Sequence, residues 1–348
     1  MIRVGLIGYG LAGTAFHAPF ITTTPGLDLT VVVTSDAVRQ ASARASHPDV
    51  EILASADALW QPPRRVDLVV IATANVAHAP LARAAIAAGI PVLVDKPLAT
   101  TAADARSLVA DAARAGVPLT VFQNRRWDGD VRTLRKLLAD GALGAPVRFE
   151  SRFERWRLEA RTGWRGSADP SQAGGLLVDL GSHVIDQALW LFGPAADVYA
   201  ELDRRRPGSE VDDDAFVAIT HASGVRSHLW MSILASQRGP RLRLLGTSAS
   251  YVKFGMDVQE DALRRGETPT GPGWGEEPES AWGRLGDDAH GRAIRTLKGD
   301  YGAFYRSLAD ALVSGGPMPV NPNDAVAVLD VIEAARRSAS ERRVISLS

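Results

Sequence analysis

Two groups of side chains in this chain have the types and spacing that acid–base chemistry needs. The first is Lys96, in Asp95-Lys96-Pro97 at the end of an apolar run. Lysine occurs only at Lys96, Lys136, Lys253 and Lys298; the other basic residues are arginine. Surface charge is supplied by arginine here, so a lysine in an apolar setting calls for another explanation. Its ammonium can hydrogen-bond a substrate hydroxyl or carbonyl, and desolvation tunes such a group toward proton transfer. Pro97 fixes the turn, and a cis Lys96–Pro97 bond is compatible with it. A surface Lys-Pro turn is the plainer alternative. The second group is Asp179 and His183, four apart in a helical run and therefore on one helix face. A carboxylate near an imidazole orients it and raises its basicity. Gly174-Gly175 just before them permits an unusual backbone. Three plainer readings stand beside catalysis: a local i,i+4 hydrogen bond, half of a metal site with no evident third ligand, or a packed histidine. His17 and His78 lie beside the segment discussed next, whereas His221 and His228 fall on strand-like runs and read as structural.

Gly8-Tyr9-Gly10-Leu11-Ala12-Gly13 is G-x-G-x-x-G, directly after a strand-like run and opening a helical one. That context turns a weak pattern into a dinucleotide fingerprint. Gly8 makes the tight turn, Gly10 lets the backbone approach a pyrophosphate, and Gly13 lets helix and strand pack closely. The pyrophosphate is expected over Gly10–Ala12, facing the amides of the helix start. A purely structural turn is the alternative. An acid at the end of the second strand would bind the ribose hydroxyls of NAD. Here Thr34 and Ser35 stand there and Asp36 comes late. The hydroxyls can hydrogen-bond a 2′-phosphate, with Arg39 nearby, so the reading leans to NADP and leaves NAD open. Ser35 and Asp36 as simple helix caps is the competing reading.

The elements that must position these groups follow from periodicity. Ile2–Ile7, Leu29–Val33, Leu68–Ala72, Val92–Val94 and Leu119–Phe122 read as strands buried on both faces. Helical patterns at Ala12–Thr22, Ala37–Ser46, Pro80–Ala88 and Ala102–Ala115 alternate with them, which predicts a parallel, doubly wound sheet. From residue 123 the pattern changes. Helices are expected near Val131–Ala139 and Val178–Leu191, with strands at Val147–Phe153, Val198–Arg204, Ala215–Thr220, Arg226–Ser232, Arg241–Leu245 and Tyr251–Phe254. Consecutive strands with short turns imply a mainly antiparallel sheet of about six strands. Arg264–Arg292, rich in Gly and Pro and holding Trp274 and Trp282, reads as a long irregular loop. Asn321-Pro322 opens a closing helix of about 322–338 that is expected to pack back on the first domain. The organisation is therefore an α/β Rossmann domain, 1–122, and an α+β domain, 123–348, for substrate binding and oligomerisation. One face of its sheet is left for a partner.

Composition bounds the function. The 348 residues suit two domains, and 46% apolar with 23% charged residues is ordinary for a soluble globular protein. A net charge of −1 argues against nucleic acid and anionic membranes as partners. Cysteine is absent, which excludes disulfides, thiolate metal sites and cysteine nucleophiles. No apolar run approaches the roughly 20 residues of a membrane span, and no basic leader precedes Ile2. A cytoplasmic soluble protein is the expectation, with no metal site assigned.

Taken together, the glycine turn, Thr73-Ala74-Asn75 with His78, Asp95-Lys96-Pro97, and Gly174-Gly175 followed by Asp179 and His183 resemble the glucose–fructose oxidoreductase / inositol dehydrogenase / MocA (Gfo/Idh/MocA) family. Phe16-His17-Ala18-Pro19, Asn124-Arg125-Arg126-Trp127-Asp128 and Asp179–His183 with Asp186-Gln187 are most similar to its scyllo-inositol dehydrogenase-like branch. Two departures stand out: Asp95 where the family more often has glutamate, and Gln123 where the branch usually has histidine. The resemblance implies NAD(P)-dependent hydride transfer on a secondary alcohol or ketone of a cyclic polyol or sugar. It implies Lys96 and His183 as the catalytic pair with Asp179 as partner. Thr73, Asn75, His78, Asp95, Lys96 and Asn124 would complete the cofactor site, and Asn124, Trp164 and Tyr301 would line the substrate. It also implies a homodimer or homotetramer through the second sheet. A dinucleotide sensor without turnover and a reductase of a non-sugar carbonyl are the competing functions. The retained Lys96, Asp179 and His183 argue against the sensor.

Overall fold

The computed structural model describes residues 1–159 and 163–347. The chain divides into two compact units. The first comprises Met1–Asn124, Gln259–Trp274 and Asp300–Val326; the second comprises Arg125–Val258, Gly275–Gly299 and Ala327–Ser348. Two later segments thus return to the first unit, which a single boundary near residue 122 does not convey.

The first unit is built on β1 (Ile2–Ile7), β2 (Leu27–Val33), β3 (Glu51–Leu53), β4 (Leu68–Ile71), β5 (Val92–Asp95) and β6 (Leu119–Phe122). They form one parallel sheet in the order β3-β2-β1-β4-β5-β6. At its centre β4 is continuous Leu, Val and Ile with no exposed surface, as a sheet covered on both faces requires. The helices are α1 (Ala18–Thr23), α2 (Ala37–Ser46), α3 (His78–Ala87) and α4 (Ala102–Ala115). Local chemistry sets their ends. Asp36 caps α2 by accepting from the Arg39 amide at 3.0 Å. Thr101 caps α4 by accepting from the Asp104 amide at 3.1 Å, and Gly116 ends it with φ 63°. The helix expected over Ala12–Thr22 is not uniform. Ala12–His17 winds as a π-helix before α1 begins, a form common at functional sites and without a period that sequence reveals.

The second unit holds α5 (Gly129–Ala139), β7 (Pro146–Glu154), α6 (Ser182–Phe192), β8 (Ala195–Asp203), β9 (Asp214–His221), β10 (Arg226–Ser232), β11 (Leu242–Gly246) and β12 (Ser250–Lys253). The expected irregular stretch Arg264–Arg292 needs correction. α7 (Gln259–Arg264) precedes it in the first unit, and β13 (Gly283–Gly286) and the start of β14 (Arg292–Ile294) lie within it. Strands of three or four residues, one of them with glycine at both ends, show no alternation to read. Gly283 is glycine because a Cβ there would lie 2.3 Å from the Tyr251 hydroxyl. α8 (Tyr301–Ser314), an element the sequence pattern did not reveal, belongs to the first unit. α9 (Pro322–Glu341) starts in the first unit and continues into the second, and β15 (Ile345–Ser346) ends the second. The sheet has nine strands, not six, in the order β14-β13-β12-β11-β7-β10-β9-β8-β15, all antiparallel except β7 with β10.

Alternation along β9 and β10 separates the two faces of this sheet. Val217, Ile219, Leu229 and Met231 are buried on the inner face, on which α6 packs through Phe192 against Phe149, 5.2 Å between rings. Phe216, His228 and Trp230 point the other way. On that outer face the register lines up Glu201, Phe216, Trp230 and Arg152 as one row across four strands.

Candidate active site

The three glycines of the turn meet different surroundings. Gly8 has φ 99°, and a Cβ on it would lie 2.4 Å from the Ala72 carbonyl oxygen. A Cβ on Gly13 would lie 2.2 Å from the Gly8 carbonyl oxygen. Both glycines are therefore demanded by the fold. Gly10 is not: its φ is not positive, and its Cβ would meet nothing closer than Arg39 Nη1 at 3.7 Å. Open space over a backbone that the fold would let carry a side chain is the cradle a pyrophosphate needs. Tyr9 beneath the turn is buried, and Leu11 above it is 48% exposed. Thr34 is buried at the end of β2, and its Oγ1 accepts from the Asp36 amide at 3.4 Å. Ser35 is exposed. Asp36, the expected alternative ribose acid, is used as the α2 cap, as the capping reading has it. These residues fit a nicotinamide dinucleotide.

Lys96 follows β5 at the same C-terminal edge of the sheet, and its turn is held from two sides. Asp95 Oδ1 accepts from the Lys96 amide at 2.8 Å. His78, fully enclosed, donates from Nδ1 to the Pro97 carbonyl at 2.7 Å. Burial holds His78 below its ordinary pKa, against the Pro97 and Thr73 carbonyls that face its two nitrogens and the Asp95 charge. The Lys96–Pro97 bond is cis. Asn75 is buried in the short turn after β4, and Asn124, also buried, ends the first segment of the unit. Tyr301, expected to line the substrate, is enclosed, with its ring 6.2 Å from Phe20. Trp274 packs on the other side of that cluster, 6.4 Å from Phe20.

Asp179 and His183 belong to the second unit, and their segment is not the plain α-helix that the spacing predicts. Leu177–Gly181 is a π-turn leading into α6. Asp212, which the sequence reading missed, positions it: Oδ2 accepts from the Leu177 amide at 2.6 Å, and the Leu176 amide donates to its carbonyl at 3.0 Å. Gly175, at φ 99°, is glycine because a Cβ there would meet Asp212 Oδ1 at 2.1 Å. Asp212 stands in Val211-Asp212-Asp213-Asp214, where only the run of acids marks it. A Cβ on Gly174 would strike the Ser167 carbonyl at 2.6 Å, so the turn carrying Trp164 and Arg165 closes over Gly174-Gly175. Arg165 lies over the Trp164 ring at 4.1 Å and 3.9 Å from Asp179 Oδ1. The structure thus brings Trp164 and Asp179 into one neighbourhood. His183 is buried, with its ring stacked 6.3 Å from Phe153, and the Arg125 guanidinium lies over the same phenyl ring at 4.6 Å.

The Asn124–Trp127 turn is locked to α6. Arg126 pairs twice with Asp186, at 2.8 and 2.6 Å, and Gln187 Nε2 donates to the Arg125 carbonyl at 3.0 Å. Two motifs some sixty residues apart are thus one buried polar network. Among the described residues no group of three or more His, Asp or Glu side chains is arranged to hold a metal ion. His221 is a core residue, bonded to the Gly193 carbonyl at 2.7 Å and Ser227 Oγ at 2.8 Å.

Residues 2–123 match the model of the oxidoreductase family with an NAD-binding Rossmann fold, and residues 131–252 match the GFO/IDH/MocA C-terminal domain. The chain belongs to the Gfo/Idh/MocA family. It is similar to the uncharacterized oxidoreductase YdgJ of Escherichia coli K12, 40% identical over all of this chain and 99% of that one. It is 33% identical to the scyllo-inositol 2-dehydrogenase (NADP(+)) IolW of Bacillus subtilis, over 99% of this chain and 96% of that one. The solved oxidoreductase YvaA of Bacillus subtilis superposes with a TM-score of 0.94 at 32% identity, covering all of this chain and 98% of that one. This Gfo/Idh/MocA protein is therefore an enzyme, a nicotinamide-dependent dehydrogenase acting on CH–OH groups. Among its described residues no helix is long and apolar enough to cross a membrane.

Proposed function

We propose that the protein oxidises a ring secondary alcohol of a cyclic polyol or sugar, or runs the reverse reduction, with NADP as the favoured cofactor. The observation that carries this reading is the Lys96 turn, fixed by Asp95 and His78 at the sheet edge that also bears the open Gly10 cradle. The IolW name, an NADP-dependent scyllo-inositol dehydrogenase, supports the substrate class. For NADP the support is local: Asp36 is occupied as a cap, and the Arg39 guanidinium lies beside Gly10. Gly8, Tyr9, Gly10, Leu11 and Ala12 would hold the pyrophosphate, and Thr34, Ser35 and Arg39 the 2′-phosphate. Thr73, Asn75, His78 and Asn124 would border the nicotinamide half, which supplies the hydride acceptor when bound. The Lys96 ammonium donates to the alcohol oxygen and stabilises the alkoxide character that develops there. His183 takes the hydroxyl proton as the C–H bond gives up its hydride and the C=O bond forms. Asp179 orients the imidazole or the hydroxyl, and Trp164 offers an apolar wall to the ring.

With scyllo-inositol and NADP+ as probe, Lys96→Met should lower kcat on the order of 10²–10³-fold with cofactor affinity nearly unchanged. His183→Asn should cost on the order of 10²–10⁴-fold, and the double variant should fall far short of the product. Full activity in folded Lys96→Met overturns the mechanism.

We also propose that the protein works in the cytoplasm as a homodimer or homotetramer through the outer face of the nine-stranded sheet. The row Glu201, Phe216, Trp230, Arg152 runs from acid through aromatics to base. A twofold axis at its middle would set each end against its opposite. A shallow cavity of about 390 Å³ beside Phe216 and Trp230, lined also by Glu201, Asp203 and Asp214, gives a second copy a place to seat a basic side chain.

A further inference from the structure

Behind Lys96 lies a buried polar chain that the reaction as proposed does not use. His17, in the π-turn after the glycine loop, has no exposed surface. Its Nδ1 is 2.6 Å from the hydroxyl of Tyr305 on α8, itself fully enclosed. Its Nε2 is 3.9 Å from Asp95 Oδ2, the oxygen not engaged by the Lys96 amide. One tautomer suits both ends: the Tyr305 O–H donates to Nδ1, and Nε2–H, which has no hydrogen-bond partner, faces the carboxylate 3.9 Å away. The ring lies against Phe122, 4.6 Å between centroids. The groups facing Asp95 are His17, Lys96 and His78. Burial pushes the Asp95 carboxyl up, but these three neighbours, His17 first, outweigh it and hold it below the ordinary value.

We propose that His17, oriented by Tyr305, is a positioning residue for the catalytic lysine: it steadies the Asp95 carboxylate that in turn fixes the Lys96 turn. This rests on Lys96 being catalytic. A half-buried carboxylate is held in one orientation, and in its ionised form, by the polar groups that face it. Without the imidazole N–H facing its far oxygen, Asp95 turns or takes up a proton and releases the Lys96 amide, and the ammonium moves with the turn. A displacement of that kind matters for an interaction made at the transition state and little for nucleotide binding at the glycine turn.

Three substitutions separate the two ends of the imidazole. His17→Gln places an amide N–H near the Nε2 position and keeps the donor to Asp95. His17→Asn reaches only the Nδ1 position and loses that donor. Tyr305→Phe leaves the imidazole but frees its tautomer. With scyllo-inositol and NADP+ as probe, His17→Asn should lower kcat roughly 10–100-fold at unchanged NADPH affinity, Tyr305→Phe should lower it less, and His17→Gln should restore it to within about threefold. A readout independent of turnover comes from the lysine count. Only four lysines occur, so lysine labelled with ¹³C at Cε gives four resonances. The Lys96 resonance should shift in His17→Asn and return in His17→Gln, while those of Lys136, Lys253 and Lys298 stay in place. An unmoved Lys96 resonance, or a kcat preserved in His17→Asn with only the melting temperature lowered, overturns the proposal. Full activity in Lys96→Met instead overturns the functional reading beneath it, so the two failures are distinct.

Discussion

Replacing Gly10 by valine should abolish dinucleotide binding and leave the fold standing, while replacing Gly13 by alanine should do the reverse in kind. At Gly10 the backbone is one that any residue adopts, and the added atoms meet only the far end of the half-exposed Arg39 side chain. The expected stability change is within about 0.5 kcal/mol, as for a surface substitution. The ligand meets something different. A side chain over the turn holds the pyrophosphate off the amides it would accept from, and each charge-assisted hydrogen bond is worth about 1.5–3 kcal/mol. Losing two of them weakens binding roughly 10²–10⁴-fold. At Gly13 the new Cβ would sit 2.2 Å from a backbone carbonyl oxygen, where no flexible side chain can yield. A cost of roughly 3–5 kcal/mol is expected, the range of strongly destabilising core changes. At about 2–4 °C per kcal/mol this is a melting shift of roughly 6–20 °C. NADPH fluorescence titration gives the affinity, and calorimetry on the unliganded protein gives the stability. Unchanged affinity in Gly10→Val would make the turn a structural feature only, and a Gly13→Ala protein as stable as wild type would refute the steric argument.

Arg39→Ala should lower kcat/KM for NADP roughly 10–100-fold and leave that for NAD nearly unchanged; equal losses with both would remove Arg39 from the 2′-phosphate site. Trp230→Glu should shift the assembly toward monomer in light scattering, and a wild-type monomer at micromolar concentration would remove the sheet-face interface. Asp128 carries a pH dependence of stability. Burial pushes its carboxyl well above the usual range, the Asp257 and Asp130 charges add to this, and Arg125 and Arg241 oppose it. A pKa raised in the folded state gives stability that is complete below the unfolded value near 4 and is lost as pH rises toward the folded one. Asp128→Asn removes that loss, so its melting temperature relative to wild type should climb between pH 5 and pH 8. A difference that is flat or falling over that range would contradict it.

The elements legible in the sequence are those whose causes are local. β1, α2, α4, β6 and β10 fall on the expected residues, and the ends of α2 and α4 are set within a few positions, by Asp36, by Thr101 and by Gly116 at φ 63°. α8 had such a signal as well: Asp300 accepts from the Ala303 amide at 3.0 Å, a cap hidden by three aromatics and a glycine in the next turns. The π-turns at Ala12–His17 and Leu177–Gly181 had none, because what holds them is distant: Asp212 reaches Leu177 from 35 residues away. The same divide runs through the candidate site. Lys96, Asp179 and His183 stand out by type and spacing, whereas the partners that steady them do not. His17 and Tyr305 are 288 positions apart and share no period.

A motif read from sequence also merges two demands that the structure separates. G-x-G-x-x-G looks like one functional signature, yet Gly8 and Gly13 answer to the carbonyls of Ala72 and Gly8, whereas at Gly10 no backbone stands in the way of a side chain. The same holds for Gly174-Gly175, which make room for the Ser167 carbonyl and the Asp212 carboxylate and touch no chemistry themselves. A glycine retained only for the fold would persist in a protein that had lost its cofactor. Gly10 has no such second reason, so of all the residues in the signature it is the one whose presence speaks for a bound dinucleotide.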